Sequence, residues 1–405
     1  MTDRPRPTVL LINSGKTAPV PILESDDSHR LAVITEPGYR RLYSSDTRVY
    51  LVDDIADLHS VQRAGVEIAA TQPPLAVVAP SERSLVPGAY LRGLFGLDGL
   101  DVTTAIRFTS KYAMKRRLRA AGVSVADFTL VDGVRDLPRA ARELGWPLVV
   151  KPVFGTGSMK TVRLGGPAEF AEALTTGRLA ELENPPCALI AERWIDMDAE
   201  YHCDAVVWDG AVRHAVASRY FQPLLGRLTE VNGSHTLAEG PVAKSILELN
   251  RRVIEALGLE AGVTHMEVFE ADGSLLVGEI AARPGGGGIP RMIALSTGVD
   301  IWQAFVDISL GREPRLAPFV TDEIHVNVQL PVRHGKVLEV PCWEDIEKLP
   351  GVLEVDPQIA PGDVVQGSIH SSRGAAQIYA CLSSELEAAL LHDALERFSI
   401  TVSEL

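Results

Sequence analysis

Two carboxylates, two cations and a run of glycines carry the chemistry available to this sequence. Glu267 and Glu279 lie twelve residues apart in "GVTHMEVFEADGSLLVGEI", one on each side of Asp272-Gly273. Alternating apolar residues about an Asp-Gly pair predict a β-hairpin, and counting back from the turn sets the two glutamates beside one another. Paired carboxylates on rigid neighbouring strands suit a hard cation with oxygen ligands, typically magnesium shared with substrate phosphates. The same pair on a solvated face would be an ordinary cross-strand acid pair. Lys151 ends the apolar run "PLVVK" and precedes a loop containing Gly155, Thr156, Gly157 and Ser158. Such a lysine is a point charge beside backbone donors that can wrap phosphate oxygens; a turn with a solvated lysine has the same letters. Arg283 follows Glu279 by four residues, and Gly285 to Gly288 follow it. Bare backbone there lets a substrate carboxylate or amide approach closely and offers amides to an anion, although a plain connector reads alike. Arg291, just beyond, could clamp a second carboxylate bidentately or simply face solvent.

Elements that could hold these groups are legible around them. "TVLLI", "RLAVIT", "RVYLVDD" and "LAVVAP" predict four short buried strands in the first hundred residues, with helix-length spacers between some of them. That pattern favours a small parallel sheet covered by helices. "SGKT" at 14–17 matches only the end of a phosphate loop. The glycine required five places before Gly15 is Leu10, so the P-loop reading fails. "SKYAMKRRLRAAGV" predicts a helix capped by Ser110 and closed by Gly122. A strand at "DFTLV", a helix at "LPRAARELG", the strand before Lys151 and a strand "CALIAER" through Glu192 come next. "EYHCDAVVWDGAVRHAVA" predicts another hairpin, turning at Asp209-Gly210. The last eighty residues alternate short strands such as "IHVNVQL" with Gly/Pro turns, then end in a helical "SSELEAALLHDALERF".

Composition narrows the class. A chain of 405 residues is too long for one ordinary core. Its net charge of −14 argues against a nucleic-acid partner. Cys187, Cys203, Cys342 and Cys381 are far apart and form no CxxC pair, so zinc and redox readings have no support. The N-terminal apolar run is too short for a signal peptide and no run reaches membrane-spanning length, which predicts a cytoplasmic protein without a membrane partner.

Taken in order, a helix led by Lys111, Lys151 before a glycine loop, Glu192 after a strand, and Glu267 and Glu279 on a hairpin resemble the ATP-grasp superfamily. The resemblance runs from about Arg107 to Arg312. It implies an ATP-grasp fold of mixed α/β and α+β character: an N-terminal parallel α/β domain (1–109), a small lid (110–195) and a larger C-terminal mixed α+β part (196–405). In that pattern Lys111, Lys151, Gly155, Gly157 and Ser158 would face the ATP phosphates. Glu192 and the backbone at Arg193, Trp194 and Ile195 would hold adenine, and Glu200 would accept the ribose hydroxyls. Glu267 and Glu279 would bind magnesium or manganese, and Arg283 would sit near the transferred phosphoryl group. The family's Glu-x-Asn-x-Arg segment departs here, since Ala281 stands at the Asn position and removes one oxygen ligand.

The implied reaction activates a carboxylate as an acylphosphate with ATP, after which an amine attacks to give an amide, ADP and phosphate. "GVTHMEVF" and "EIAARPGGGGIPRMI" most resemble amino-acid and dipeptide ligases. Gly286, Gly287, Arg283, Arg291, His265, Tyr220 and His235 are the candidate substrate contacts, with Arg227 in the same loop as Tyr220. His265 shares a strand face with Glu267, where a structural histidine is the plainer reading. A basic, glutamine-containing segment of the biotin-dependent carboxylases has no counterpart here. The alternative readings are a phosphotransferase on a small metabolite and a nucleotide-binding module without catalysis. The resemblance is compatible with a homodimer.

Overall fold

A computed structural model describes residues 6–155, 160–183, 187–227, 229–367 and 373–403. The first sheet contains β1 (Thr8–Asn13), β2 (Arg30–Thr35), β3 (Arg48–Leu51) and β4 (Pro74–Val78), ordered β3-β2-β1-β4 and parallel throughout. All six residues of β1 are buried, as expected of a strand covered on both faces. The chain leaves β1 toward β2 on one side, yet β4 lies on the other. The β1/β4 crevice is therefore the topological switch point of this sheet, and its carboxyl ends release Ser14–Lys16 and Ser81. Ser81 begins α1 (Glu82–Phe95) with a reciprocal Ser81/Ser84 cap, and Gly96 ends it in the left-handed region at φ 67°.

In α2 (Lys111–Ala120) the Ser110 hydroxyl accepts from the Ala113 amide, fixing the first turn. Met114 and Leu118 bury one face among Phe108, Val253, Met266 and Val277. Lys111 and Lys115, four residues apart, share a different face.

The lid sheet is β5 (Phe128–Val131), β6 (Leu148–Pro152), β7 (Val162–Leu164) and β8 (Leu189–Arg193), ordered β5-β8-β6-β7. It has its own apolar core, including Val131, Leu137, Leu148, Leu164 and Leu189. Next come β9 (Ala199–Trp208), β10 (Ala211–Tyr220), β11 (Asn232–Thr236), β12 (Gly262–Ala271), β13 (Ser274–Ala281), β14 (Ile324–Pro331), β15 (Gly335–Glu339), β16 (Val352–Pro357), β17 (Val364–Val365), β18 (Gly374–Leu382) and β19 (Thr401–Ser403). Eight of these form one antiparallel sheet, β13-β12-β9-β10-β11-β14-β18-β16, so most of the final segment extends the central sheet. The remaining three form a small sheet, β17-β15-β19.

Both predicted hairpins turn where the Asp-Gly pairs require. Asp209 and Gly210 have φ of 53° and 66°, and Asp272 and Gly273 have 50° and 68°. Two successive positive φ values match the right-handed twist of the flanking strands. The N-terminal sheet packs on the central one: Leu11 and Val33 share a core with Val206, Val263, Ile289 and Phe305. Among the described residues, no helix is long and apolar enough to cross a membrane.

Candidate active site

The N-terminal sheet, the lid and the central sheet enclose one cavity of about 800 Å³. On its floor, Glu267 and Glu279 are direct cross-strand partners in β12 and β13. Their environments differ. Burial, then Glu279, pushes the Glu267 carboxyl up. Burial acts on Glu279 as well, but Lys111, Lys151 and Arg283 outweigh it and hold that carboxyl down. Lys111 Nζ lies 3.4 Å from Glu279 Oε2 and donates to the Gly155 carbonyl at 2.6 Å. It thus touches the floor and the lid together. The cross-strand partner of His265 is Ala281, which is buried and brings no oxygen to the place next to the two glutamates.

A second charge cluster spans the lid. Glu192 is flanked by Lys151 at 3.2 Å and Lys115 at 3.3 Å, and both Glu192 and Lys115 are buried. Burial raises the Glu192 carboxyl, but the two lysines reverse the direction and hold it low. Lys115 was not among the expected site residues. Its signal was present all the same, one helical turn after Lys111. Beside this cluster, Val149, Ile195, Met197, Leu224 and Phe269 form an apolar slot. Two of the three hinge amides are already engaged within the fold. Arg193 N–H donates to the Asp127 carbonyl and Trp194 N–H to the Pro147 carbonyl, so neither amide is free. Ile195 N–H has no intramolecular partner among the described residues. Glu200 also lines the cavity and accepts from the Leu224 amide at 2.9 Å. Burial first, then Glu267, pushes its carboxyl up.

On the opposite wall Arg283 is fixed twice. Its Nη2 donates to Glu82 Oε2 at 3.0 Å and its Nη1 to the Pro284 carbonyl at 2.9 Å. Glu82 belongs to α1 of the N-terminal sheet, 201 residues away, and no local pattern pointed to it. The glycine run is shaped by close packing. A Cβ at Gly285 would lie 2.9 Å from Asp204 Oδ1 and 3.1 Å from His265 Nδ1. Gly287 and Gly288 have φ of 58° and 86°, and Gly288 precedes α3 (Ile289–Thr297). Asn327 of β14 donates to the Gly287 carbonyl.

Behind this wall runs a buried chain of hydrogen bonds. His265 Nδ1 meets Asp204 Oδ1 at 2.9 Å and His202 Nδ1 meets Asp204 Oδ2 at 2.6 Å. His202 Nε2 is 2.9 Å from Ser234 Oγ, which donates to Asn327 Oδ1 at 2.8 Å. Because Asn327 spends its amide on Gly287, its oxygen faces Ser234. The single Ser234 proton goes there, and His202 Nε2 must donate in turn. Burial outweighs the Asp204 carboxylate, and the net shift of the His202 ring is downward.

Of the expected residues, Lys111, Lys151, Gly155, Glu192, Arg193, Trp194, Ile195, Glu200, His265, Glu267, Glu279, Arg283, Gly286 and Gly287 line the cavity together. Gly157 and Ser158 lie outside the described residues. Three expected contacts sit elsewhere. Arg291 is bound to Glu354 on the surface, at 2.8 Å and 3.0 Å from one oxygen. Tyr220 is buried against the His202 ring, and His235 is buried with Nδ1 3.1 Å from the Thr236 carbonyl. Arg227, in the loop after β10, pairs with Gln222 and Glu230. The residues that sequence reasoning missed, Lys115, Glu82, Asp204 and Asn327, hold cavity groups in place.

A model of the ATP-grasp domain matches residues 116–298. Over 387 residues the chain is 38% identical to the L-arginine-specific L-amino acid ligase of Bacillus subtilis, covering 94% of each. It is 24% identical over 318 residues to the alanine–anticapsin ligase of Bacillus subtilis, covering 70% of this chain and 66% of that one. Among solved structures, the L-amino acid ligase from Bacillus licheniformis superposes with a TM-score of 0.76 at 19% identity, covering 99% of this chain and 100% of the other. Phosphoribosylglycinamide synthetase from Anaerococcus prevotii superposes with a TM-score of 0.68 at 15% identity, covering 98% of this chain and 100% of the other.

Proposed function

This chain belongs to the ATP-grasp family, and we propose that it joins the carboxylate of an L-amino acid to an amine, the cavity between its three sheets being the active site. It is an ATP-dependent carboxylate–amine ligase that works through an acylphosphate and releases ADP and phosphate. The observation that carries the site assignment is the convergence of Lys111, Lys151, Glu267, Glu279 and Arg283 on one cavity. A phosphotransferase is not favoured, because the similar curated proteins named above are amino-acid ligases.

Each residue has a physical task in this reading. Adenine enters the apolar slot beside the Ile195 amide, and Glu200 accepts from the ribose. Lys111 and Lys151 neutralise phosphate charge, with Gly155 on the lid side. Phosphoryl transfer asks little covalent help of a protein and much alignment and charge neutralisation. Glu267 and Glu279 supply an oxygen-only donor pair that fits one magnesium, or manganese, the rest of its shell being water and phosphate oxygen. When bound, that ion screens charge between phosphate oxygens. Ala281 offers no ligand for a second. Arg283, held by Glu82, faces the acyl carbon and stabilises the oxyanion formed as the amine adds. Gly286, Gly287 and His265 shape the substrate side. The named specificity of the 38% relative makes L-arginine the first donor to offer. A cytoplasmic location and the three-part division at 110 and 196 belong to the same proposal.

The test is release of ADP and AMP from magnesium-ATP with single amino acids, with and without hydroxylamine. ADP together with a hydroxamate is the expected result. AMP and pyrophosphate would exclude the acylphosphate route, and ADP with a stable phosphorylated product would restore the phosphotransferase.

A further inference from the structure

The cavity is lined by six cations among the described residues: Lys16, Arg83, Lys111, Lys151, Arg193 and Arg283. Five of them are paired with carboxylates. Arg83 meets Glu36 and Asp54, Lys111 meets Glu279, Lys151 meets Glu192, Arg193 meets Asp127 and Arg283 meets Glu82. Lys16 Nζ has no hydrogen-bond or ion-pair partner among the described residues. It is half-buried; burial, then the charge of Arg283, brings its pKa down to about 8 against the opposing pull of Glu82. Glu82, bound to Arg283 at 3.0 Å, reaches Lys16 only through longer-range attraction and is not within ion-pair distance of it.

The loop carrying Lys16 is built to stay put. Asn13 Nδ2 donates to the Lys16 carbonyl at 2.7 Å and to Tyr43 Oη at 2.9 Å, while Asn13 Oδ1 accepts from the Lys16 amide at 2.9 Å. Ser14 Oγ donates to Ser81 Oγ at 2.9 Å, tying the ends of β1 and β4 together. Gly15, at φ 82°, lets the Tyr39 ring close over the turn, where a Cβ would lie 2.5 Å from the ring. Ligands of open parallel sheets bind outside the carboxyl ends of the strands at the switch point, which is where this loop opens into the cavity.

We infer that Lys16, presented at the β1/β4 switch point, binds the carboxylate of an amino-acid substrate on the N-terminal wall of the cavity. The inference rests on the ligase reading. A carboxylate there pairs the one lining lysine or arginine that, among the described residues, has no carboxylate within ion-pair distance. Either substrate carries such a group: the donor, before its activation, or the acceptor, whose carboxylate survives in the product.

The test uses the full chain and its Lys16→Met and Lys16→Arg variants. Wild-type ADP release with hydroxamate formation comes first, and its absence would refute the ligase reading whatever Lys16 does. With wild-type turnover in hand, Lys16→Met is expected to raise KM for one amino acid on the order of tenfold to a hundredfold, the scale of a charge-assisted contact. KM for ATP should stay put, the melting temperature should not fall, and Lys16→Arg should recover part of the loss. A rise that persists with hydroxylamine as acceptor assigns the donor carboxylate. A rise found only with an amino-acid acceptor assigns the acceptor carboxylate. Unchanged KM for both amino acids, or a raised KM for ATP with a lowered melting temperature, would overturn the assignment.

Discussion

The two walls of the cavity are held by different forces. On the wall made by the β12–β13 hairpin and the lid, charges are locked in pairs: Lys111 with Glu279, and Lys151 and Lys115 with Glu192. The wall made by the N-terminal loops, the glycine run and β14 carries the Arg283–Glu82 pair but is otherwise set by close backbone packing and uncharged hydrogen bonds, such as Ser14 to Ser81 and Asn327 to Gly287. In the proposed reading, the first wall keeps cations ready for phosphates by parking them on carboxylates. The second is defined by shape. Position on the first should therefore fail when charge is removed, and on the second when volume is added.

The severest break is Glu192→Gln, which leaves Lys115 buried beside no carboxylate. Losing one partner of a buried pair costs about 3–5 kcal/mol, so the urea midpoint should drop and activity fall with it. A normal midpoint with only a weaker KM for ATP would make Glu192 a nucleotide contact and nothing more. Glu279→Gln should come next, lowering kcat/KM on the order of 10²- to 10³-fold in ADP release. A loss below tenfold would remove Glu279 from the metal floor. On the other wall, Gly288→Ala adds a Cβ 2.8 Å from Gln377 Oε1 and Tyr379 Oη at a positive φ. It should cost about 1–3 kcal/mol and raise KM for an amino acid while sparing KM for ATP. An equal effect on both substrates would erase the distinction between the walls.

The mildest probe is acid titration of the network behind the second wall. Burial raises the Asp204 carboxyl, but His265 and His202 overcome it, and the net shift is downward. A carboxyl depressed in the folded state stabilises above its unfolded value of about 3.9 and loses that contribution as pH falls below it. Urea midpoints should thus decline from about pH 4 downward in the wild type and more gently in Asp204→Asn. Parallel acid limbs would mean that Asp204 is not ionised.

What could be read in advance followed the same division. The paired-charge wall was legible because its residues sit in sequence-local devices. Asp272-Gly273 sets the hairpin, the hairpin sets Glu267 opposite Glu279, and Ser110 starts the helix at Lys111. Lys115 is equally local, one turn after Lys111, but its pairing with Glu192 depends on how the lid sheet packs on that helix. The shape-defined wall had no such device. Glu82 meets Arg283 only because separate sheets pack together, and Asp204 reaches His265 only through strand order. Tyr220, His235 and Arg291 show the converse error. Their residue types suited substrate, yet two are buried in the fold and the third is tied to Glu354.

The Glu82–Arg283 contact bears on engineering. Residues 116–298, the span that the family model matches, contain the arginine but not the glutamate that orients it. A chimera that borrows a foreign N-terminal sheet to change substrate choice would inherit the arginine without its tether. Any such graft has to bring a carboxylate to the first turn of the helix after β4, or it will leave the arginine of the proposed site untethered.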